Sequence, residues 1–564
     1  MRNPLNLLLQ KKRYGALEPD EIFIDAQNLP DFDRASMQGT LERPLSVHAF
    51  RGLLAAGGLI GFIFLGQTAW LDIGKHDYFV SWSEENRLRH DTLIAERGLI
   101  LDRAGQTLAG NEQVGTTTPE AEVRRVYPLE EAAAQLVGYV SYPKRDQNGF
   151  WYQEETIGVA GAEQQFDQKL KGINGIEIAE TDATGESVSG SVVRAAEAGG
   201  NVELSIDAGL QEALYSFIKT RADTAFVGGA GAVMDITTGE LYALVSYPSF
   251  HPSVMSSGVP ASEVQSYITD TRSPFLDRAV AGLYTPGSIV KPFLAAAALN
   301  EGVVTPQSTF VSTGQLVLPN PFDPSKPSIF KDWRAHGAVD MRRAIAVSSD
   351  VYFYIVGGGF ESQRGLGVAA IDKYAARFGF GTNTGFPDSD EPKGTVPSPA
   401  WKAEHFDESI WRVGDTYNTS IGQYGWQVTL LQAVRATAAL ANGGVLVTPT
   451  IEKFGTIETE EVGIPDQYLS VAREGMRLAV TEGTAQSLSI PDFKVAGKTG
   501  TAEVGVKKEF SNSLVIGFFP YDRPKFAFAI ILERSKAGTL VGAPAVGGEL
   551  MRWIAQNRPE LYTP

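Results

Sequence analysis

Residues Thr285 to Gly302 read TPGSIVKPFLAAAALNEG, a proline-glycine turn that opens onto an apolar helical run. Ser288 and Lys291 stand three apart where that helix begins, a spacing that puts both side chains on one face, one turn apart. A serine hydroxyl is a poor nucleophile until a neighbouring base takes its proton. A lysine used as that base must lose its own proton near neutral pH, which burial beside a second cation promotes. The helix N-terminus adds free N–H groups and a positive dipole end for an oxyanion. Alone, Ser-x-x-Lys specifies little.

Two further stretches change its weight. In AIAVSSDVYFY (Ala344 to Tyr354), a non-helical loop would let Ser348 and Asp350 face the same way. The hydroxyl would relay a proton between lysine and leaving group, and the carboxylate would hold substrate amide or lysine by charge-assisted hydrogen bonds. The plainer reading is a Ser/Asp cap on the helix that follows. In VAGKTGTAE (Val495 to Glu503), a strand would send Lys498 and Gly500 to one face. That puts a cation in a cleft beside a residue with no Cβ, where substrate backbone can approach. Thr499 and Thr501 flank them, and the Thr501 N–H would complete an oxyanion hole with that of Ser288. Read singly, this is a hairpin strand with a surface lysine. The order Ser-x-x-Lys, Ser-x-Asp, Lys-Thr-Gly, each on the element its role needs, defines a serine acyl-transfer site.

The surrounding text predicts an α+β domain over residues 201–564. Asn201 to Ile218 reads as a strand, an aspartate cap and an apolar-periodic helix, and Ala230 to Pro248 as a hairpin with a Thr-Gly turn. Helical patterns fill the middle, notably Val290 to Leu299 and Leu430 to Ala441. Strands return at FKVAGKTGTAEV, SLVIGFFPYD and KFAFAIILER, before a last helix, Val546 to Ile554. Strands at both ends with helices between are what an antiparallel sheet flanked by helices requires. Residues 73–200 mix short β-like runs with turns and read as an extended pedestal. Within it Ile157 to Leu170 looks like a glycine turn opening an amphipathic helix, and Asn111 to Arg125 reads as a polar loop.

Leu53 to Leu71 carries no charge and is long enough to cross a membrane, so residues 51–72 read as a single transmembrane helix. Trp70 stands where an interfacial aromatic would, and no small-residue cleavage site follows closely. Lys and Arg counts on its two sides are nearly balanced. Residues 1–50 read as a largely disordered tail, placed in the cytoplasm because the remaining chemistry points outside. Its Lys11 to Arg13 run reads as a solvated charge cluster.

The formal net charge of the 564-residue chain is -17 and no basic stripe offsets it, which argues against a nucleic-acid partner. The chain has no cysteine, which excludes disulfides and a thiol nucleophile. The six histidines show no ligand spacing. His251, His336 and His405 read as structural, and neither metal nor cofactor is expected.

From Leu53 to the C-terminus the chain resembles the class B penicillin-binding proteins. Glu85 to Asn111 and Val159 to Glu177 resemble pedestal segments of that family. YPSFHP, LDRAVAGLYTPGSIVKP and SIGQYGWQVTLLQA resemble text of its transpeptidase domain. The resemblance implies a D,D-transpeptidase that cross-links peptidoglycan stem peptides through a Ser288 acyl-enzyme and is inhibited by β-lactams. By the same resemblance Lys291 is the base, Ser348 a proton relay, and Lys498, Thr499, Gly500, Thr501 and Asp350 position the donor peptide. Ser348-Ser349-Asp350 with DWRAHG (Asp332 to Gly337) is most similar to the elongation-type branch, penicillin-binding protein 2. That similarity implies a SEDS-family glycosyltransferase and rod-complex proteins as partners. Two departures stand out: the pedestal is short, and Tyr424 occupies a place in IGQYGW where a second glycine is expected. The rival readings are a septal class B enzyme, a D,D-carboxypeptidase or β-lactamase using the same site, and a non-enzymatic β-lactam sensor or scaffold. A water-activating glutamate for the hydrolases does not stand out, and a sensor would carry more spans or a signalling domain.

Overall fold

The structure is a computed structural model. It describes residues 46–79, 88–114, 122–147, 151–181, 187–320, 322–387, 390–505, 507–536, 538–539 and 541–563. The expected disordered tail therefore lies, apart from its last residues, outside the described residues.

The chain divides into two units, residues 1–88 and 89–564. In the first, helix α1 (Val47–Ala69) starts at Ser46, whose hydroxyl accepts from Ala49 N, and continues through a π-turn at Trp70–Gly74. None of its residues is buried. At 1.5 Å per residue the continuous helix spans about 40 Å, enough for the hydrocarbon core of a bilayer. It is the one helix among the described residues that is long and apolar enough to cross a membrane.

The second unit begins with small sheets. Strands Leu88–Leu93, Gly175–Thr181 and Ser187–Arg194 form one, and Val202–Glu203, Ile100–Leu101, Thr107–Val114 and Glu122–Val126 another. Here the sequence expectation needs correcting. The ends of the supposed polar loop from Asn111 to Arg125 are paired strands, with Asn111 opposite Arg125 and Val114 opposite Glu122; residues 115–121 lie outside the described residues. Apolar alternation is missing because the inward side chains at the paired Asn111 and Arg125 are polar and charged. Glu163 is fully buried, and its carboxylate accepts from Arg97 Nε at 2.6 Å and Arg125 Nε at 2.7 Å. Arg125 donates further to Asn111 Oδ1 at 2.8 Å. The predicted amphipathic helix is two short pieces, Gly161–Gln165 and Asp167–Leu170, meeting at Phe166, whose φ of -104° and ψ of 18° depart from helical values.

This part packs onto the larger one through polar bridges. Gln211 donates to Ala132 O at 2.8 Å and Leu244 O at 2.7 Å and accepts from Leu244 N. Arg103 donates to Ser205 O at 2.7 Å, with its guanidinium 3.4 Å from the Tyr242 ring centre.

The larger part is built on five antiparallel strands: β1 (Gly228–Asp235), β2 (Leu241–Tyr247), β3 (Ala496–Val504), β4 (Phe510–Phe519) and β5 (Phe526–Lys536), in the spatial order β2-β1-β5-β4-β3. The first hairpin thus pairs with the last strand, Gly229 opposite Leu532. Helix α2 (Ala208–Ala225) is capped by Asp207, whose carboxylate accepts from Leu210 N and pairs with Arg558 at 2.6 Å. Helices α3 (Lys291–Asn300), α4 (Met341–Val347), α5 (Asp350–Gly358), α6 (Leu430–Ala441) and α7 (Asp466–Thr481) lie between the strands in sequence, and α8 (Ala543–Asn557) follows them. All twelve residues of α6 are buried, which explains an apolar run that the Thr429/Gln432 capping box starts. Helix α3 is buried from Lys291 to Leu299. An α+β fold with an antiparallel sheet flanked by helices is what the strand and helix patterns required.

Candidate active site

Ser288 sits in a 3-10 turn, Gly287–Val290, that leads into α3 at Lys291. In a 3-10 turn side chains three apart eclipse, so this geometry aligns Ser288 with Lys291 more closely than an α-turn would. The turn is wedged from two sides. Gly287 has φ +53°, and a Cβ there would meet Thr501 O at 2.8 Å. On the other side Gly287 N donates to Gly422 O at 3.0 Å, and a Cβ on Gly422 would lie 2.1 Å from Gly287 O. Only glycine fits at either position.

Ser348 and Asp350 lie at the junction of two helices rather than in an open loop. Ser348 closes α4 in the left-handed region at φ 57°, and Asp350 is the first residue of α5. The cap on α5 is Ser349, whose hydroxyl accepts from Tyr352 N. Its neighbour Ser348 is therefore released from capping. The left-handed turn is sparsely populated for non-glycine residues and persists because its surroundings fix it.

Both lysines converge on that turn, and both are fully buried. Lys291 Nζ donates to Asp350 Oδ1 at 2.6 Å, Ser348 O at 2.9 Å and Ser348 Oγ at 3.3 Å. Lys498 Nζ donates to Ser348 Oγ at 2.8 Å and Thr499 O at 2.8 Å. A hydroxyl has two acceptor lone pairs and one proton to give. With both lone pairs of Ser348 taken by lysines, its own O–H is left to point elsewhere. Burial holds Lys498 well below its ordinary range, reinforced by the charge on Lys291 and opposed by Asp350. Lys498 is thus the lysine whose charge its surroundings disfavour.

On β3, Thr499 Oγ1 donates to Thr484 Oγ1 at 2.7 Å, while Thr501 is exposed. Gly500 requires a correction. The sequence reading gave its missing Cβ to an approaching substrate, yet a Cβ there would meet Pro286 O at 2.8 Å and Ile289 Cγ2 at 2.9 Å. The space is filled by the chain's own Ser288 turn. Gly500→Ala should therefore push that turn away from β3. An ångström of misplacement costs about 10²-fold in rate, so acylation by a penicillin should fall by that order in a variant that still folds. Unchanged acylation kinetics in a folded Gly500→Ala protein would contradict the packing argument.

Sequence reasoning missed Thr484, Gly422 and above all Asp332. The Asp332 carboxylate is buried and accepts from Ser349 Oγ at 2.8 Å, Ser312 Oγ and Val351 N at 3.1 Å, and Trp333 N at 2.9 Å. Burial alone would raise its pKa, but the donations from Val351 N and Ser349 hold it below the usual carboxylate range. The DWRAHG stretch was the available signal. His336 Nε2 lies 3.3 Å from Asp332 Oδ1, and no group of three metal-ligating side chains occurs among the described residues. Tyr424, two residues past Gly422, adopts φ +65°. Its ring lies parallel to Phe406 at 6.0 Å and edge-on to Trp401 and Trp411 at 5.7 Å. Such an aromatic box offsets the strain of a left-handed tyrosine.

The chain belongs to the class B penicillin-binding proteins: residues 229–552 match the family model of the penicillin-binding protein transpeptidase domain, and residues 115–204 that of the penicillin-binding protein dimerisation domain. Within that family it is 30% identical over 493 residues to the peptidoglycan D,D-transpeptidase MrdA of Haemophilus influenzae, covering 79% of this chain and 72% of the relative. Pseudomonas aeruginosa PBP2 in complex with WCK 5153 superposes with a TM-score of 0.65 at 29% identity, over 83% of this chain and 97% of that one. A chain from a structure described as structural coordination of polymerization and crosslinking by a peptidoglycan synthase complex superposes with a TM-score of 0.67 at 26% identity, over 91% and 98%.

Proposed function

We propose that this protein is an elongation-type peptidoglycan D,D-transpeptidase with Ser288 as nucleophile. The observation that carries the reading is the Ser348 hydroxyl, held by two buried lysines on a turn fixed by Asp332. In its amine form Lys291 takes the Ser288 proton, and Ser288 Oγ attacks the penultimate D-Ala carbonyl of a stem peptide. The N–H groups of Ser288 and Thr501 hold the oxyanion. The proton passes through Ser348 to the nitrogen of the departing D-Ala, so the C–N bond breaks as the ester forms. Lys498, Thr499 and Asp350 position the donor. An amine from a second stem then attacks the ester, forming the cross-link and returning the proton to Ser288.

Helix α1 anchors the protein by a single pass in the cytoplasmic membrane, with the catalytic part outside. The likeness to a chain of a peptidoglycan synthase complex and to MrdA supports a glycan-polymerising SEDS partner and other rod-complex proteins. β-Lactams, which mimic the D-Ala-D-Ala amide, would acylate the same serine. The full-length protein should convert lipid-linked, uncross-linked glycan strands into cross-linked muropeptide dimers with release of D-Ala. Tetrapeptide monomers as the sole product would instead mark a carboxypeptidase.

A further inference from the structure

The segment Asp332-Trp333-Arg334 is clamped to the turn that carries Ser348. Asp332 accepts from Ser349 and Val351 on the far side of that turn. Trp333 Nε1 donates to Val347 O, the carbonyl immediately before Ser348, at 3.1 Å. The indole is thereby pinned although it is 55% exposed. Arg334 is exposed, and its guanidinium lies 4.5 Å from the Trp333 ring centre. Among the described residues no carboxylate lies within 4.0 Å of it.

Trp333 is thus held open to solvent beside the turn that carries Ser348. A guanidinium spread on an indole face is preorganised, and it meets a carboxylate through two parallel N–H···O bonds. Lys498, Thr499 and Asp350 position the D-Ala-D-Ala end of the donor stem in the proposed mechanism, on which this inference rests. Arg334 is left for a carboxylate elsewhere. We propose that Arg334, presented on Trp333, binds the side-chain carboxylate of the third stem residue, immediately upstream of D-Ala-D-Ala. The enzyme then selects stems that keep this carboxylate over stems in which it is amidated.

The test uses the full-length protein in detergent and two pentapeptides ending in D-Ala-D-Ala, one with a carboxylate on its third side chain and one with the corresponding amide. Each competes against labelling by a fluorescent penicillin, which lacks the upstream stem. The parent protein should favour the carboxylate peptide by about five- to ten-fold. Arg334→Ala should abolish the preference, Arg334→Glu should reverse it, and Arg334→Lys should keep part of it. Penicillin labelling without competitor should stay within about two-fold in all of them, because none of the Ser288 contacts involves Arg334. A preference that survives Arg334→Ala, or none in the parent, overturns the inference. So does slower labelling of Arg334→Ala itself, which would mark a structural role. A parent protein that takes no label overturns the Ser288 reading, and the inference with it.

Discussion

Lys291→Ala should slow acylation by a penicillin about 10³-fold, a mid-range loss for a positioned general base. The size follows from how many tasks converge on one nitrogen. Lys291 stands three residues on from Ser288 at the end of the 3-10 turn, and its Nζ fixes Ser348 through both the carbonyl and the hydroxyl. Its removal also leaves Asp350 without its partner at 2.6 Å. Asp350 is partly exposed, with 19% side-chain accessibility, so water can take up that charge and the loss of stability should be small beside the loss of rate. Lys291→Arg separates the two effects. Arginine keeps a cation beside Asp350 but cannot give up its proton. Stopped-flow labelling should find it nearly as slow as the alanine variant, while its melting temperature stays nearer the parent. Fast acylation by Lys291→Arg would show that the base is elsewhere.

The largest stability effect is expected far from the chemistry, at Glu163. Its carboxylate is fully buried between Arg97 and Arg125, which are themselves nearly inaccessible, and Arg97 also pairs with Asp167 at 2.8 Å. Removing one member of a buried charge cluster leaves uncompensated charge, at a cost of about 3–5 kcal/mol. In Glu163→Ala two guanidiniums face each other with one carboxylate gone. The first melting transition should fall by many degrees, and urea unfolding should show a lost or separate transition for the part containing residues 97–170. Penicillin labelling at low temperature should persist, because no Ser288-site contact passes through Glu163. A variant as stable as the parent would mean that water reaches the cluster.

How much of this was legible in the sequence differs by element, for physical reasons. Helix α6 could be bounded at Leu430 and Ala441 because a capping box starts it and every side chain but Gln432 and Arg435 is apolar or small. The β1–β2 hairpin announced itself through Thr-Gly turn chemistry between two apolar runs. Ser288, Lys291, Ser348 and Lys498 were legible because their spacing within short segments fixes which face they share. The polar strand pair around Asn111 and Arg125 was not, since these inward residues are an amide and a guanidinium and the apolar alternation vanishes. Nor were Thr484 and Gly422, which reach the site through long-range packing that no local pattern records, while Asp332 had only the DWRAHG stretch as its signal. Gly500 was legible as a place needing glycine, but not which neighbour required it.

The most direct test of the central assignment is to treat the full-length protein with a penicillin and locate the adduct by peptide mass mapping. The expected result is a single ester on Ser288, within the Thr285 to Gly302 stretch, and no adduct in Ser288→Ala. An adduct on another residue, or a Ser288→Ala protein labelled like its parent, would contradict it.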